Sequence, residues 1–276
     1  MRPKRVASLA LALVVLPALA ACGTAERGGH TQPSPLAMFS ASVKRVVIEV
    51  DYAANAAPFT GAVGSFPDLW AITQDNVSAL YGGSERELVI PSTLAEMHAI
   101  DATPGPYRTA DIEALAAKYR TVYSSGDTVS LFVVFLDGRY ELDADVDETV
   151  LGAALAGSGI IAMFKPTIDG VNNPLSPDVV RFTEQATLIH ELGHSFGLVN
   201  VGLPLVSNHE DPRHPSHCDD PDCVMYWANE GAADVRRFTS DVASTGSDVL
   251  FDGACLADAH AAARGLDTDA AALATP

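Results

Sequence analysis

One short segment holds two histidines and a glutamate at the spacing of a metal-dependent hydrolase. The segment reads HELGHSFGLVN and runs from His190 to Asn200. On a helix, His190 and His194 are one turn apart on the same face, so both imidazoles can reach one metal ion. Glu191 then lies beside the metal, where its carboxylate can act as general base toward a metal-bound water. The spacing therefore predicts zinc-dependent hydrolysis.

A buried helix is predicted to carry these residues. It runs from about residue 178 to 198, with Asp178 near its start, and Gly197 offers it a place to end. Because imidazole nitrogens inside a buried helix need partners, a metal ion is the expected partner of the two histidines. The apolar positions that bury this helix are Val179, Val180, Phe182, Ala186, Ile189, Leu192, Phe196 and Leu198.

The elements that must position this helix are the strands and helices of one domain. Apolar and β-branched runs predict strands over residues 43–50, 88–90, 128–136 and 159–164. Helical patterns cover residues 69–81, 111–119, 150–156, 232–243 and 254–264. The predicted class is α+β: a mixed, twisted sheet with an active-site helix and an irregular C-terminal half.

The helical segment resembles the HExxHxxGxxH signature of the metzincin zinc metalloproteases. His190, Glu191, His194 and Gly197 are in register with that signature, but Asn200 stands where the family has its third zinc ligand. Asparagine is a poor ligand for catalytic zinc, which usually takes three protein ligands and one water. The third ligand is therefore expected elsewhere in the chain.

A later segment resembles the HC-x4-C-x-M stretch of the archaemetzincin branch, with His217, Cys218, Cys223 and Met225 in the matching places. The resemblance implies that His217 is the third zinc ligand and that residues 201–216 are an insertion. It also implies a metzincin-like fold in which Met225 forms the Met-turn of the irregular half. A methionine there packs as a pliable apolar floor beneath the ligands.

His209 is the rival third ligand. It is nearer in sequence to the end of the helix, and it forms a His-x-Asp pair with Asp211. His214 is a weaker candidate. Asp211 can instead orient one of the ligands by accepting its second ring N–H.

Three cysteines lie in the second half of the chain. In archaemetzincins a later C-x-x-C pair completes a second zinc site, whereas this chain has only Cys255 after Met225. Exported proteins favour disulfides, so Cys218 and Cys223 are expected to pair and Cys255 to stay free and buried. Pairing of Cys255 with one of the other two is the alternative.

The N-terminal residues have the pattern of an exported lipoprotein. Residues 1–21 combine a basic start with an apolar stretch that is short for a membrane span, which is typical of a signal peptide. The sequence Leu19–Cys22 resembles the lipobox of bacterial lipoproteins, in which the cysteine is lipidated. Residues 22–42 are predicted to be a flexible tether and residues 43–276 the catalytic domain. We therefore expect a protein of the cell envelope, anchored to a membrane through lipid on Cys22.

The charge balance limits the possible partners. The chain has 35 acidic and 17 basic residues, a formal net charge of -18. Such a surface repels phosphate backbones and anionic lipid, so nucleic acid is not an expected partner.

These features together predict a zinc metallopeptidase with one catalytic zinc ion and a protein or peptide substrate. The resemblance to the metzincins implies that it is an endopeptidase, which cleaves within a chain. Glu191 takes a proton from the attacking zinc-bound water and returns it to the leaving amine. The alternative is a catalytically inactive, protease-like envelope protein that binds zinc or peptide. The asparagine at position 200 motivates that alternative.

Overall fold

A mainly parallel sheet forms the centre of the protein. The computed structural model describes residues 31–83, 85–142, 145–171, 178–230 and 249–265. Within those residues six strands form the sheet, in the order β2-β1-β4-β8-β7, and β3 also pairs with β1. A small antiparallel hairpin, β5-β6, lies apart from it. In chain order the strands are β1 (Arg45–Ala53), β2 (Glu87–Val89), β3 (His98–Ile100), β4 (Thr128–Leu136), β5 (Tyr140–Leu142), β6 (Asp145–Asp147), β7 (Gly152–Leu155) and β8 (Ile160–Phe164).

The central strand β4 has the composition of a strand that is covered on both faces. Its sequence, TVSLFVVFL, is an almost unbroken apolar run, and all of it except Thr128 is buried. It pairs in parallel with β1 on one side and with β8 on the other. Continuous apolar runs of this kind are typical of parallel strands between two helical layers. The fold is therefore a mixed α/β architecture.

Helices cover the two faces of the sheet. Val133 and Phe135 of β4 belong to the larger core, which includes most of the buried positions of α5, whereas Phe132 and Val134 pack in a smaller core with α3. This alternation follows from the period of two along a strand. In chain order the helices are α1 (Pro35–Met38), α2 (Ala71–Leu80), α3 (Thr109–Tyr119), α4 (Lys165–Gly170), α5 (Asp178–Phe196) and α6 (Gly253–Ala263); short 3-10 turns cover Leu94–Glu96 and Trp227–Glu230.

The long helix α5 is held against the sheet by a buried ion pair as well as by apolar contacts. The ammonium of Lys165 lies 2.7 Å from one carboxylate oxygen of Glu184, and the backbone N–H of Phe59 donates to the other at 2.6 Å. Burial raises the pKa of Glu184 to about 7. Glu184 is six residues before His190, so the ion pair fixes α5 about one and two-thirds turns before its first histidine.

One predicted element is wrong. The stretch 150–156 was expected to be helical, but Gly152–Leu155 form β7, an antiparallel strand that pairs with β8. A short apolar run does not distinguish a helix from a strand. Here the stretch forms a strand, because its backbone pairs with the edge of β8. The predicted helix at 232–243 lies outside the described residues.

The packed domain begins earlier than residue 43. Residues Pro35–Met38 form α1, and the side chains of Met38 and Phe39 are fully buried in the larger core. The predicted tether is therefore wrong at its C-terminal end, because two of its large apolar residues gain more by burial than by exposure to water. Residues 1–30, with the predicted signal peptide and Cys22, lie outside the described part. No helix within the described residues has the length and apolar character needed to cross a membrane.

Candidate metal centre

Three histidines converge at the C-terminal end of α5. The ligand nitrogens of His190, His194 and His217 all lie within 4.8 Å of one another, and the Nε2 atoms of the first two are 3.0 Å apart. A tetrahedral zinc ion with Zn–N bonds of about 2.0–2.1 Å separates its nitrogens by about 3.3 Å. The donor set and its spacing therefore fit one zinc ion.

Backbone carbonyls orient two of these rings. His190 donates from Nδ1 to the carbonyl of Val224 at 2.7 Å, and His217 donates from Nδ1 to the carbonyl of Pro215 at 3.1 Å. An imidazole that carries its proton on Nδ1 has its lone pair on Nε2. Both rings are thus set in the tautomer that leaves Nε2 as a metal ligand.

The chain leaves α5 through a turn that directs Asn200 away from the histidines. Gly197 adopts φ +86, and its carbonyl accepts a hydrogen bond from the N–H of Leu203 at 2.9 Å. Asn200 is exposed, has φ 65, and donates its side-chain N–H to Glu210 at 3.1 Å. Asparagine tolerates the left-handed region better than most residues. Asn200 therefore lies in a turn, and the third histidine that lies close to His190 and His194 is His217.

Glu191 is buried beside the edge strand β7. A Cβ atom on Gly152 would lie 3.0 Å from its Cγ and 3.3 Å from its Oε1. Only glycine at this point of β7 leaves the carboxylate its space. Gly152 was not identified from the sequence, and an isolated glycine in an Ala-rich run gave no signal for it.

Met225 packs directly against α5. A Cβ atom on Gly193 would lie 2.3 Å from the sulfur of Met225, and the methionine is fully buried. Gly193 lies between His190 and His194 in the helix, so the methionine lies against the turn that carries both imidazoles. The soft thioether fills the space that the missing side chain of Gly193 leaves.

The predicted disulfide between Cys218 and Cys223 is wrong. Cys218, Cys223 and Cys255 are all free and buried, and the sulfurs of Cys223 and Cys255 are 3.6 Å apart. A disulfide requires about 2.05 Å. Cys255 is free and buried as expected, but it is not alone, because α6 brings it to the other two.

His209, the rival third ligand, lies next to the cysteines and not next to the three clustered histidines. Its Nδ1 lies 3.6 Å from the sulfur of Cys218 and 3.9 Å from that of Cys255, and its Nε2 is 2.8 Å from a carboxylate oxygen of Asp258. The hydrogen bond to Asp258 raises the pKa of His209 to about 10. Metal ligation would displace the imidazole proton, since ligands bind in their deprotonated form.

Asp211 and His214 bind each other outside both clusters. Asp211 accepts a hydrogen bond from Nδ1 of His214 at 2.8 Å, and the ring of His214 stacks on Trp227 at a centroid distance of 4.0 Å. Asp211 is therefore not the residue that orients a zinc ligand, and that prediction is wrong. Its carboxylate accepts a hydrogen bond from His214, which is not one of the three clustered histidines.

An acidic pair on β1 has a different character. Both carboxylate oxygens of Glu49 accept hydrogen bonds from Thr121 and Val122, so that they are already used. Asp51 is fully buried, and one of its oxygens is 3.2 Å from Nδ1 of His98. Burial raises the pKa of Asp51 to about 6. Asp51 is therefore a buried carboxyl group within the sheet, and its contacts give no reason to place a metal ion beside Glu49 and Asp51.

Comparison with known proteins finds a distant structural likeness. No protein-family model matches the chain, and no curated protein sequence matches it. A similar solved structure is the crystal structure of a zinc-dependent peptidase from Methanocorpusculum labreanum (strain Z), at 14% sequence identity and a TM-score of 0.41. The likeness covers 77% of this chain and 99% of that one. At this similarity the chemistry has to be inferred from the residues of this chain.

Proposed function

We propose that this protein is a zinc-dependent peptidase whose metal is held by His190, His194 and His217. The observation that carries the proposal is the convergence of three imidazoles with a buried glutamate next to the first of them. Three protein nitrogens leave a fourth position open, which distinguishes catalytic from structural zinc sites. A binding site for zinc alone has no use for Glu191.

Glu191 is the proposed general base. Zinc bound at the three imidazoles supplies Lewis acidity toward the substrate carbonyl and lowers the pKa of water to about 7. The Glu191 carboxylate accepts a proton from the attacking water as the new C–O bond forms. The same oxygen then delivers that proton to the amide nitrogen as the C–N bond breaks. Burial beside Gly152 keeps the carboxylate in one position during both transfers.

The edge strand β7 supports a peptide as the substrate. Within the described residues β7 pairs only with β8, so its other edge offers backbone N–H and carbonyl groups. An extended peptide can add to such an edge as a further strand. Because Gly152 of β7 lies against Glu191, a peptide on this edge runs past the proposed base. We propose internal cleavage, since an extended segment bound along an edge needs no free terminus.

The substitution Glu191→Gln tests the proposal. Glutamine has the shape of glutamate but cannot accept the proton, so cleavage of an unfolded protein such as casein should fall by about 10²–10⁴-fold. Zinc content should remain that of wild type, because the imidazoles are unchanged. Glu113→Gln, on the exposed side of α3, is the matched control and should cleave normally.

Two outcomes would contradict the proposal. Cleavage by Glu191→Gln at the wild-type rate would exclude Glu191 as the base. Stoichiometric zinc in a wild-type protein that cleaves no protein or peptide would favour the alternative of an inactive zinc- or peptide-binding envelope protein.

We also propose export and attachment to a membrane through lipid on Cys22. The support is the sequence alone: a basic, then apolar stretch that ends in Leu19–Cys22. Metabolic labelling with a radioactive fatty acid should mark the wild-type protein and not Cys22→Ala. Equal labelling of both would refute the anchor.

A further inference from the structure

A turn of unusual backbone conformation joins α5 to the segment that carries His217. Gly197, Val199, Asn200 and Gly202 all have positive φ, at 86°, 49°, 65° and 149°. Val199 is β-branched, and such residues rarely adopt this region because the Cβ atom is crowded there. A backbone of this kind persists only where surrounding contacts fix it. The turn is therefore held by contacts from outside it.

Pro35 holds the turn from one side. A Cβ atom on Gly197 would lie 2.3 Å from the Cβ of Pro35, and a Cβ atom on Gly202 would lie 2.6 Å from its Cγ. The pyrrolidine ring therefore fills the space that both glycines leave. Pro35 is itself anchored on both sides. Before it, the side-chain amide of Gln32 donates to a carbonyl of β4 at 3.2 Å, and after it the ring of Phe39 packs against the phenylalanine that ends α5.

Glu210 holds the turn from the other side and connects it to His217. One carboxylate oxygen of Glu210 accepts from the side-chain N–H of Asn200 at 3.1 Å, and the other accepts from the backbone N–H of Ser216 at 2.7 Å. Ser216 directly precedes His217 and has φ 70°, so its conformation also needs support. One carboxylate therefore spans both ends of the connection between α5 and the third histidine.

We propose that Glu210 is a positioning residue for the zinc site and that Asn200 holds it in place. The inference rests on the proposed function, since it takes the three histidines as ligands of one metal ion. Residues 201–216 are a long connection, and contacts across a long connection must offset the entropy that its closure costs. The bridge from Asn200 to Ser216 closes this connection and sets where His217 begins. Asn200 thus acts on the third histidine through Glu210, without being a ligand itself.

Backbone hydrogen bonds around Glu210 pass its position on to His217. The N–H of Asp211 donates to the carbonyl of His217 at 2.8 Å, and the N–H of Asp219 donates to the carbonyl of His209 at 2.8 Å. Glu210 lies between the two residues that form one side of this antiparallel pair. A displacement of Glu210 would therefore move the backbone that carries the third histidine.

Reversal of the donor and the acceptor tests the pair in the full-length protein. In Asn200→Asp two carboxylates meet, and their repulsion should weaken zinc binding about 2- to 5-fold in competition with a chromogenic chelator. Aspartate, like asparagine, is enriched at positive φ, so the backbone is not the expected cause of this loss. In the double variant Asn200→Asp, Glu210→Gln, the glutamine N–H can donate to the new carboxylate while its oxygen still accepts from Ser216. Wild-type zinc affinity should therefore return.

Asn55→Asp is the matched control. Asn55 donates its side-chain N–H to Asp137 at 3.1 Å in an exposed pair of the same kind, on the loops after β1 and β4. The substitution adds the same charge at another place and should leave zinc affinity unchanged. The loss in Asn200→Asp should also shrink in about 1 M salt, because exposed charges are then screened beyond about 3 Å.

Hydrogen exchange keeps the test decisive if the histidines bind no zinc. In zinc-free Asn200→Asp, the amides of residues 210–217 should exchange faster than in wild type, whereas those of β4 should not change, because the pair is exposed. Unchanged exchange over residues 210–217 would overturn the proposal. A double variant that binds zinc as weakly as Asn200→Asp would overturn it as well. Wild-type protein without zinc would refute the proposed function, and exchange would still show whether Glu210 holds the backbone before His217.

Discussion

The imidazole Nδ1 of His190 donates a 2.7 Å hydrogen bond to the backbone carbonyl of Val224. The two neighbours of Val224 have contacts of their own: the sulfur of Cys223 lies 3.6 Å from that of Cys255, and Met225 packs against Gly193. These three consecutive residues therefore contact His190, the turn of α5 at Gly193 and Cys255. A substitution at any one of these three residues should therefore also disturb the contacts of the other two.

The contact between Gly193 and Met225 should be sensitive to one added methyl group. In Gly193→Ala the new Cβ would be 2.3 Å from the sulfur of Met225 and 3.1 Å from a ring carbon of Phe251. Both neighbours are buried, so we expect a loss of about 1–3 kcal/mol in the free energy of unfolding, measured in urea. Gly253→Ala, where a Cβ meets nothing within 4 Å, should cost nothing.

A double-mutant cycle identifies the cause of that loss. If the methionine sulfur is the obstacle, Gly193→Ala should cost less in a Met225→Ala background than in wild type. An equal cost in both backgrounds would show that the contact is not responsible.

His217, and not its neighbours, should be needed for the first zinc ion. His217→Ala removes one of three imidazoles, and we expect zinc affinity at this site to fall by more than about 100-fold, since even outer partners of ligands are worth 10–100-fold. His214→Ala is the matched control, because His214 stacks on Trp227 and binds Asp211. Competition with a chromogenic chelator measures both. Similar affinities in the two variants would remove His217 from the site.

Gly152 should matter for catalysis and not for metal binding. A Cβ in Gly152→Ala would lie 2.9 Å from Thr187 and 3.0 Å from the Cγ of Glu191. Displacement of the carboxylate should lower kcat about 10- to 100-fold while zinc content stays constant. Gly170→Ala, where a Cβ meets nothing within 4 Å, is the control. An unchanged kcat in Gly152→Ala would show that the carboxylate does not need this space.

The buried carboxyl of Asp51 should make stability depend on pH. Its pKa is raised from 3.8 to about 6, chiefly by burial, with Glu49 adding repulsion and His98 opposing the shift. The folded state thus keeps a proton that the unfolded chain has lost, and the free energy of unfolding falls as pH rises from about 4 to about 6. At neutral pH the burial of this carboxyl lowers the free energy of unfolding by on the order of 3 kcal/mol.

Asp51→Asn checks the sign of this effect. The variant has no carboxyl to ionise, so its stability relative to wild type in urea should increase between about pH 4 and pH 6 and then level off. Asp145→Asn, at an exposed aspartate, is the control and should show no such trend. A difference between Asp51→Asn and wild type that is independent of pH would contradict the assignment.

Local sequence patterns anticipated much of the framework. The run Thr128–Leu136 was predicted with the bounds that the structure has, and helix α5 was predicted within two residues of its end. Both are long and strongly patterned, so burial and period decide them without help from distant residues. The pairing of His190 with His194 follows from helix geometry alone.

Tertiary contacts decided what local patterns left open. His217 and His209 each begin a His-x-Asp sequence, but tertiary contacts separate them. His217 lies with the two histidines of α5, whereas Asp258 holds His209 beside Cys218. Cys218 and Cys223, which are close in sequence, were expected to pair, but α6 brings Cys255 close to both of them. The two imidazoles of α5 are thus fixed by the 3.6-residue period, whereas the third imidazole and the thiol cluster depend on loop closure between distant segments, whose outcome is set by packing of the whole chain.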